Sequence, residues 1–80
     1  MRQENEYTKQ YYLHMRLDEL LKEKKISRAK LCKDLDLQRT NLNRYYRNQV
    51  QRMDIDLIVS FCKYLQCDIS DLLEIREKES

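Results

Sequence analysis

The chain has 80 residues and neither glycine nor proline, although average usage of roughly 7% Gly and 5% Pro would supply about ten of them. Glycine-rich phosphate loops, dinucleotide fingerprints and tight glycine hairpins are therefore excluded, and a mostly helical chain is expected. With 41% hydrophobic residues, 38% charged residues and a net charge of +2, the composition is too apolar for ordinary disorder, and no run approaches the roughly 20 apolar residues of a membrane span.

In chain order, residues 1–12 form an arm whose pattern fits two structures. Tyr7 and Tyr11 are helically spaced, whereas Tyr11, Leu13, Met15 and Leu17 alternate as in a strand. Amphipathic rings such as Tyr7, Tyr11 and Tyr12 favour packing or self-association over base stacking. Leu13, Leu17, Leu20 and Leu21 fall on one stripe of a first helix running to about Lys24, where Lys22, Lys24 and Lys25 suit its negative end. Ser27 caps a second helix from Arg28 to about Leu35, with Leu31 and Leu35 inward and Cys32 beside them. Asp36 interrupts the pattern, and Gln38 begins a third helix to about Arg47 with Leu42 and Tyr45 inward. Val50, Met53 and Ile55 are expected to anchor the following loop. Asp54 or Asp56 then caps a fourth helix with Ile58, Phe61, Cys62 and Leu65 inward. Asp68 caps a last short helix carrying Ile69, Leu72 and Leu73, and residues 76–80 are expected to fray.

Charge is divided unevenly along this plan. Residues 1–37 hold nine basic and seven acidic side chains, residues 38–52 hold four basic and none acidic, and residues 53–80 hold three basic and seven acidic. The four central charges are Arg39, Arg44, Arg47 and Arg52, interleaved with Gln38, Thr40, Asn41, Asn43, Asn48, Gln49 and Gln51. Arginine can grip phosphate or a guanine edge bidentately, Asn and Gln can do the same for adenine, and no carboxylate is present to repel a phosphate backbone. Cys32, Cys62 and Cys67 are odd in number and far apart, which fits reduced thiols rather than a disulfide framework. With His14 the only histidine and no Cys-x-x-Cys pair, neither a metal nor a cofactor is expected. The termini show no secretory signal, so a cytoplasmic location is the default expectation.

Two helices joined by about three residues, from Ser27 to Arg47, have the layout of a helix-turn-helix, in which one helix braces the DNA backbone and the next enters the major groove. The run ISRAKLCKDLDLQRTNLNRYYRNQV resembles that motif in the phage repressor and Cro family, also called xenobiotic-response-element type regulators. The resemblance continues through MDIDLIVSFCKYLQCDISDLLEI and covers about residues 13–75, as in compact bacterial members made of this domain alone. It implies an all-α, compact five-helix bundle of the phage-repressor type. Arg39, Thr40, Asn43 and Arg44 then resemble base-reading side chains, with Arg39 and Arg44 toward guanine, Thr40 toward a thymine methyl and Asn43 toward adenine. Arg28, Gln38, Asn41, Arg47 and Arg52 look like backbone clamps. The implied protein is a sequence-specific double-stranded DNA-binding regulator, a homodimer on a palindromic operator. It repels DNA from its acidic end and has no catalytic step, membrane contact or small-molecule substrate. Leu72 and Ile75, or the tyrosine arm, are expected to form the dimer contact. The alternative is a protein-interaction module or antitoxin that uses the fold without reading bases.

Three residues depart from the family pattern: Cys32 stands where Ala is common, and Asp36 and Asn48 where Gly is common. Asp and Asn tolerate the left-handed region, so both turns should survive. If glycine is merely missing there, Asp36→Gly and Asn48→Gly should each be neutral or stabilising. Tyr46 falls at an outward position, with sugar-phosphate, a second subunit and open surface as its possible neighbours.

Overall fold

The computed structural model describes residues 5–50 and 52–79; residues 1–4 of the arm, Gln51 of the basic window and Ser80 of the tail lie outside them. Helix α1 (Glu6–Gln10) is started by a reciprocal exchange. Asn5 Oδ1 accepts from the Tyr7 and Thr8 amides at 2.9 and 3.0 Å, while the Asn5 amide donates to Thr8 Oγ1 at 2.8 Å. One turn later the chain extends into strand β1 (Tyr11–Met15). The two periodicities of the arm are thus both present, helix first and strand second.

β1 pairs antiparallel with β2 (Leu73–Glu77), with Tyr11 opposite Glu77 and Met15 opposite Leu73. This corrects the all-α, five-helix expectation: the described residues form six helices and a small two-stranded sheet. Leu13 belongs to the strand and is 44% exposed, and the helix expected to begin there begins at Leu17. Arg76 and Glu77, expected in a loose tail, are held by the ladder. The reason is physical: β1 and β2 satisfy one another's backbone groups, and a pairing between opposite ends of the chain leaves no local periodicity to betray it.

The remaining helices are α2 (Leu17–Lys24), α3 (Arg28–Leu35), α4 (Arg39–Tyr46), α5 (Ile55–Leu65) and α6 (Ile69–Leu72). Each was expected within a few residues. Ser27 caps α3 by accepting from the Lys30 amide at 3.1 Å. Asp54, rather than Asp56, caps α5, accepting from the Asp56 and Leu57 amides at 2.9 and 3.3 Å. Their inner faces build one core from Met15, Leu17, Leu20, Leu21, Leu31, Leu42, Tyr45, Ile58, Phe61, Leu65 and Leu72. Each such aliphatic side chain contributes about 1.5–3 kcal/mol by leaving water. Ile55, expected to anchor the loop after the third expected helix, is instead 78% exposed, and Ile69, expected on the last short helix, is 58% exposed; each is the first residue of its helix and faces away from the core.

Four helix ends turn through the left-handed region without glycine, at Lys25, Asp36, Asn48 and Gln66, with φ between 52 and 58°. In every case the next amide reaches back five residues: Ile26 to the Leu21 carbonyl, Leu37 to Cys32, Gln49 to Arg44 and Cys67 to Cys62. This is the Schellman arrangement, which satisfies the last carbonyls of a helix. Ile26, Leu37 and Cys67 then fold onto the core. Asn48 does something else as well. Its Oδ1 accepts from the Met15 amide at 2.6 Å and its Nδ2 donates to the Met15 carbonyl at 3.1 Å, occupying the side of β1 turned away from β2.

Candidate nucleic-acid interface

Helices α3 and α4 are joined by Asp36, Leu37 and Gln38 alone. Leu31 from α3 and Leu42 from α4 are both fully buried, and Leu35 and Leu37 pack against the same core, which fixes how the two helices cross. On α4, burial of Leu42 and Tyr45 leaves Arg39, Thr40, Asn43, Arg44 and Arg47 along the opposite side. Tyr45 is held from two sides: its ring meets Phe61 edge-on at 5.7 Å, and its hydroxyl accepts from the Asp54 amide at 3.0 Å. That bond also ties down the loop that carries Arg52.

Arg39, Thr40 and Arg44 are exposed and Asn43 is half-buried. Gln38 is exposed at the N-cap of α4 and makes no capping bond with its side chain. Asn41 is half-buried beside a shallow depression lined by Asp36, Gln38, Thr40 and Arg44. Arg47 is exposed at the C-cap, and Arg52 is exposed in the following loop. Among the described residues, none of Arg39, Arg44, Arg47 and Arg52 is engaged in an ion pair. Four guanidinium groups therefore face solvent with no carboxylate to neutralise them.

The single acidic residue of α3 is turned elsewhere. Asp34 accepts from the Tyr64 hydroxyl of α5 at 2.5 Å and from Lys30 at 3.1 Å, and these bonds, Tyr64 first, hold its carboxyl below the ordinary range.

Arg28, at the start of α3, is half-buried and engaged with α4. Its Nη1 donates to Asn43 Oδ1 at 3.1 Å, and its guanidinium carbon lies 4.6 Å from the centre of the Tyr46 ring. Tyr46 is half-buried and packs on the core, so it serves as the platform beneath Arg28. Neither the platform nor the bond to Asn43 was legible in the sequence, because the three residues lie on two helices and share no local pattern. Arg28 and Asn43, expected to act separately, are in contact.

A family profile described as a Cro/C1-type HTH DNA-binding domain matches residues 16–78. Among solved structures, that of the transcriptional regulator VanUg in crystal form II superposes with a TM-score of 0.71 at 19% identity, covering 95% of this chain and 100% of that one. At that identity the likeness concerns the fold. No curated protein sequence matches.

Proposed function

Because the chain belongs to the Cro/C1-type helix-turn-helix DNA-binding family, we propose that it is a transcriptional repressor that inserts α4 into the major groove and occludes a promoter. One observation carries this reading: the exposed side of α4 presents unpaired arginines and carboxamides, in a window from 38 to 52 that holds no acidic residue. VanUg, which shares the fold, is itself a transcriptional regulator.

In this reading Arg39 and Arg44 take guanine edges bidentately and Thr40 meets a thymine methyl. Asn43 has a narrower role than its residue type suggests. Reading adenine through both carboxamide atoms draws on Oδ1, and Arg28 already takes one of its two lone pairs and fixes its direction. Asn43 therefore offers Nδ2 as a donor, which suits a base acceptor such as guanine O6 or thymine O4. Arg28, Gln38, Asn41, Arg47 and Arg52 contact phosphates, and Arg28 also sets the orientation of Asn43. A single α4 reads only a few base pairs, and each mismatch costs roughly 1–3 kcal/mol, so a homodimer on a two-fold operator supplies the necessary discrimination.

Selection of bound duplexes from a random library by the purified chain tests the reading. A palindromic consensus is expected, with affinity falling steeply as salt rises. Arg39→Ala and Arg44→Ala should each relax one position at a cost of about 1–3 kcal/mol, whereas Arg47→Ala and Arg52→Ala should weaken all sequences alike. Arg28→Ala should weaken binding and also move the preference facing Asn43 toward adenine. Absence of salt-sensitive binding to any duplex would replace this function with a protein-interaction role, and equal loss for all sequences in every variant would refute the division of labour.

A further inference from the structure

A Schellman turn folds the chain back so that the residue whose amide reaches back five positions packs against the residue whose carbonyl it takes. At the end of α2 that pair is Leu21 and Ile26, at the end of α3 Cys32 and Leu37, and at the end of α4 Arg44 and Gln49. At the end of α5 it is Cys62 and Cys67. Two of the three cysteines thus occupy the matched positions of one turn, while Cys32 stands at such a position opposite a leucine. The Cys67 amide donates to the Cys62 carbonyl at 3.0 Å. With standard bond lengths on either side of that contact, the two α-carbons lie less than about 7 Å apart, within the span that a disulfide bridges without backbone movement. All three cysteines are free thiols, half-buried against the core and still reached by solvent. Burial first, and then the Cys62 sulfur and Asp71, push the Cys67 thiol up, as expected of sulfurs that adjoin one another.

We propose that Cys62 and Cys67 form a dithiol that peroxide oxidises to an intramolecular disulfide across the C-terminal turn of α5. One sulfur takes an oxygen from peroxide and becomes a sulfenic acid, as the O–O bond breaks and water leaves. The other sulfur then attacks it, the S–S bond forms, the S–O bond breaks and a second water leaves. In sum, two thiols and one peroxide become one disulfide and two waters, with two electrons passing from sulfur to oxygen. The ring so closed spans residues 63–66 and holds the left-handed turn at Gln66 in place, which stiffens the corner between α5 and α6. Cys32 has no thiol at its matched position and serves as an internal control. The site is independent of base reading by α4.

Hydrogen peroxide applied to the folded chain, followed by alkylation of the remaining thiols and tryptic mapping, tests the inference. Trypsin cuts after Lys63, inside the ring, so the disulfide leaves segment 53–63 joined to segment 64–76. The oxidised chain should lose two hydrogens in mass, keep one alkylatable thiol at Cys32, and do so to the same extent at every protein concentration. Dithiothreitol should reverse the change. The oxidised chain should also melt at least about 4 °C above the reduced one. Cys32→Ala should form the same joined pair, whereas Cys62→Ala and Cys67→Ala, whose reduced melting temperatures show that each is folded, should not. Joined segments that include Cys32 as often as Cys67, a link formed only in denaturant, or an oxidised chain that melts at or below the reduced one would each overturn the proposal.

Discussion

Asn48 and Asp36 share a backbone conformation but not a role. Both are left-handed, as the family resemblance implied, and at Asp36 the cap is a backbone one, its amide donating to the Cys32 and Lys33 carbonyls. Lys25 and Gln66 adopt the same conformation without the short Asn or Asp side chain that favours it. Asp36→Gly, Lys25→Gly and Gln66→Gly should each raise stability by about 0.5–1 kcal/mol, as relief of the left-handed strain outweighs the added chain entropy. Asn48→Gly should do the opposite. It strips two hydrogen bonds from Met15, which is 0% exposed, and should cost about 1–3 kcal/mol, in place of the neutral or stabilising change that residue type alone suggests. Thermal melts of the four variants decide the matter. The turn at Asn48 was legible from residue type, whereas its bond to Met15 spans 33 positions and had no local signature.

At the scale of elements, the ribbon is moored to the helices by Glu19 of α2. Its carboxylate accepts from Arg16 at 2.8 Å and His14 at 3.1 Å and lies 3.5 Å from Arg76 of β2. The Arg16 bond first, then His14, holds its acidity near a pKa of about 2 against an ordinary 4.5. A carboxyl with a depressed folded value stabilises the native state above its ordinary value and loses that contribution as pH falls through the depressed one. Glu19→Gln should therefore melt below wild type at neutral pH, and the gap should close as pH falls from about 4.5 to about 2. A gap independent of pH would show that Glu19 acts by packing alone. The helices and the α4 stripe were legible because apolar spacing within one element is a local property. This mooring was not, since it joins a helix to both strands of a sheet that the chain's two ends build together.

At the scale of the molecule, charge is sorted by place. The arginines of α4 and its loop lie in a window, residues 38–52, that holds no acidic side chain, while Asp54, Asp56, Asp68 and Asp71 lie at the starts of α5 and α6, where they serve the helix ends. The pairing of chain ends makes the last residues structural. Truncation after Leu72 removes β2 and uncovers Met15, so it should cost about 3 kcal/mol or more of the 5–10 kcal/mol such a small domain commands, read as a lowered urea midpoint. A truncated chain with the wild-type midpoint would show the ribbon to be ornamental. Asn48 gives this closure a kinetic side. The Met15 amide donates to Asn48, the next amide, Arg16, donates to Leu72, and Gln49 closes the end of α4 on Arg44. Breathing of the ribbon cannot release one of these without loosening the others. Hydrogen exchange should accordingly find Met15, Arg16 and Gln49, from two distant stretches of chain, opening with a single shared free energy as one cooperative unit.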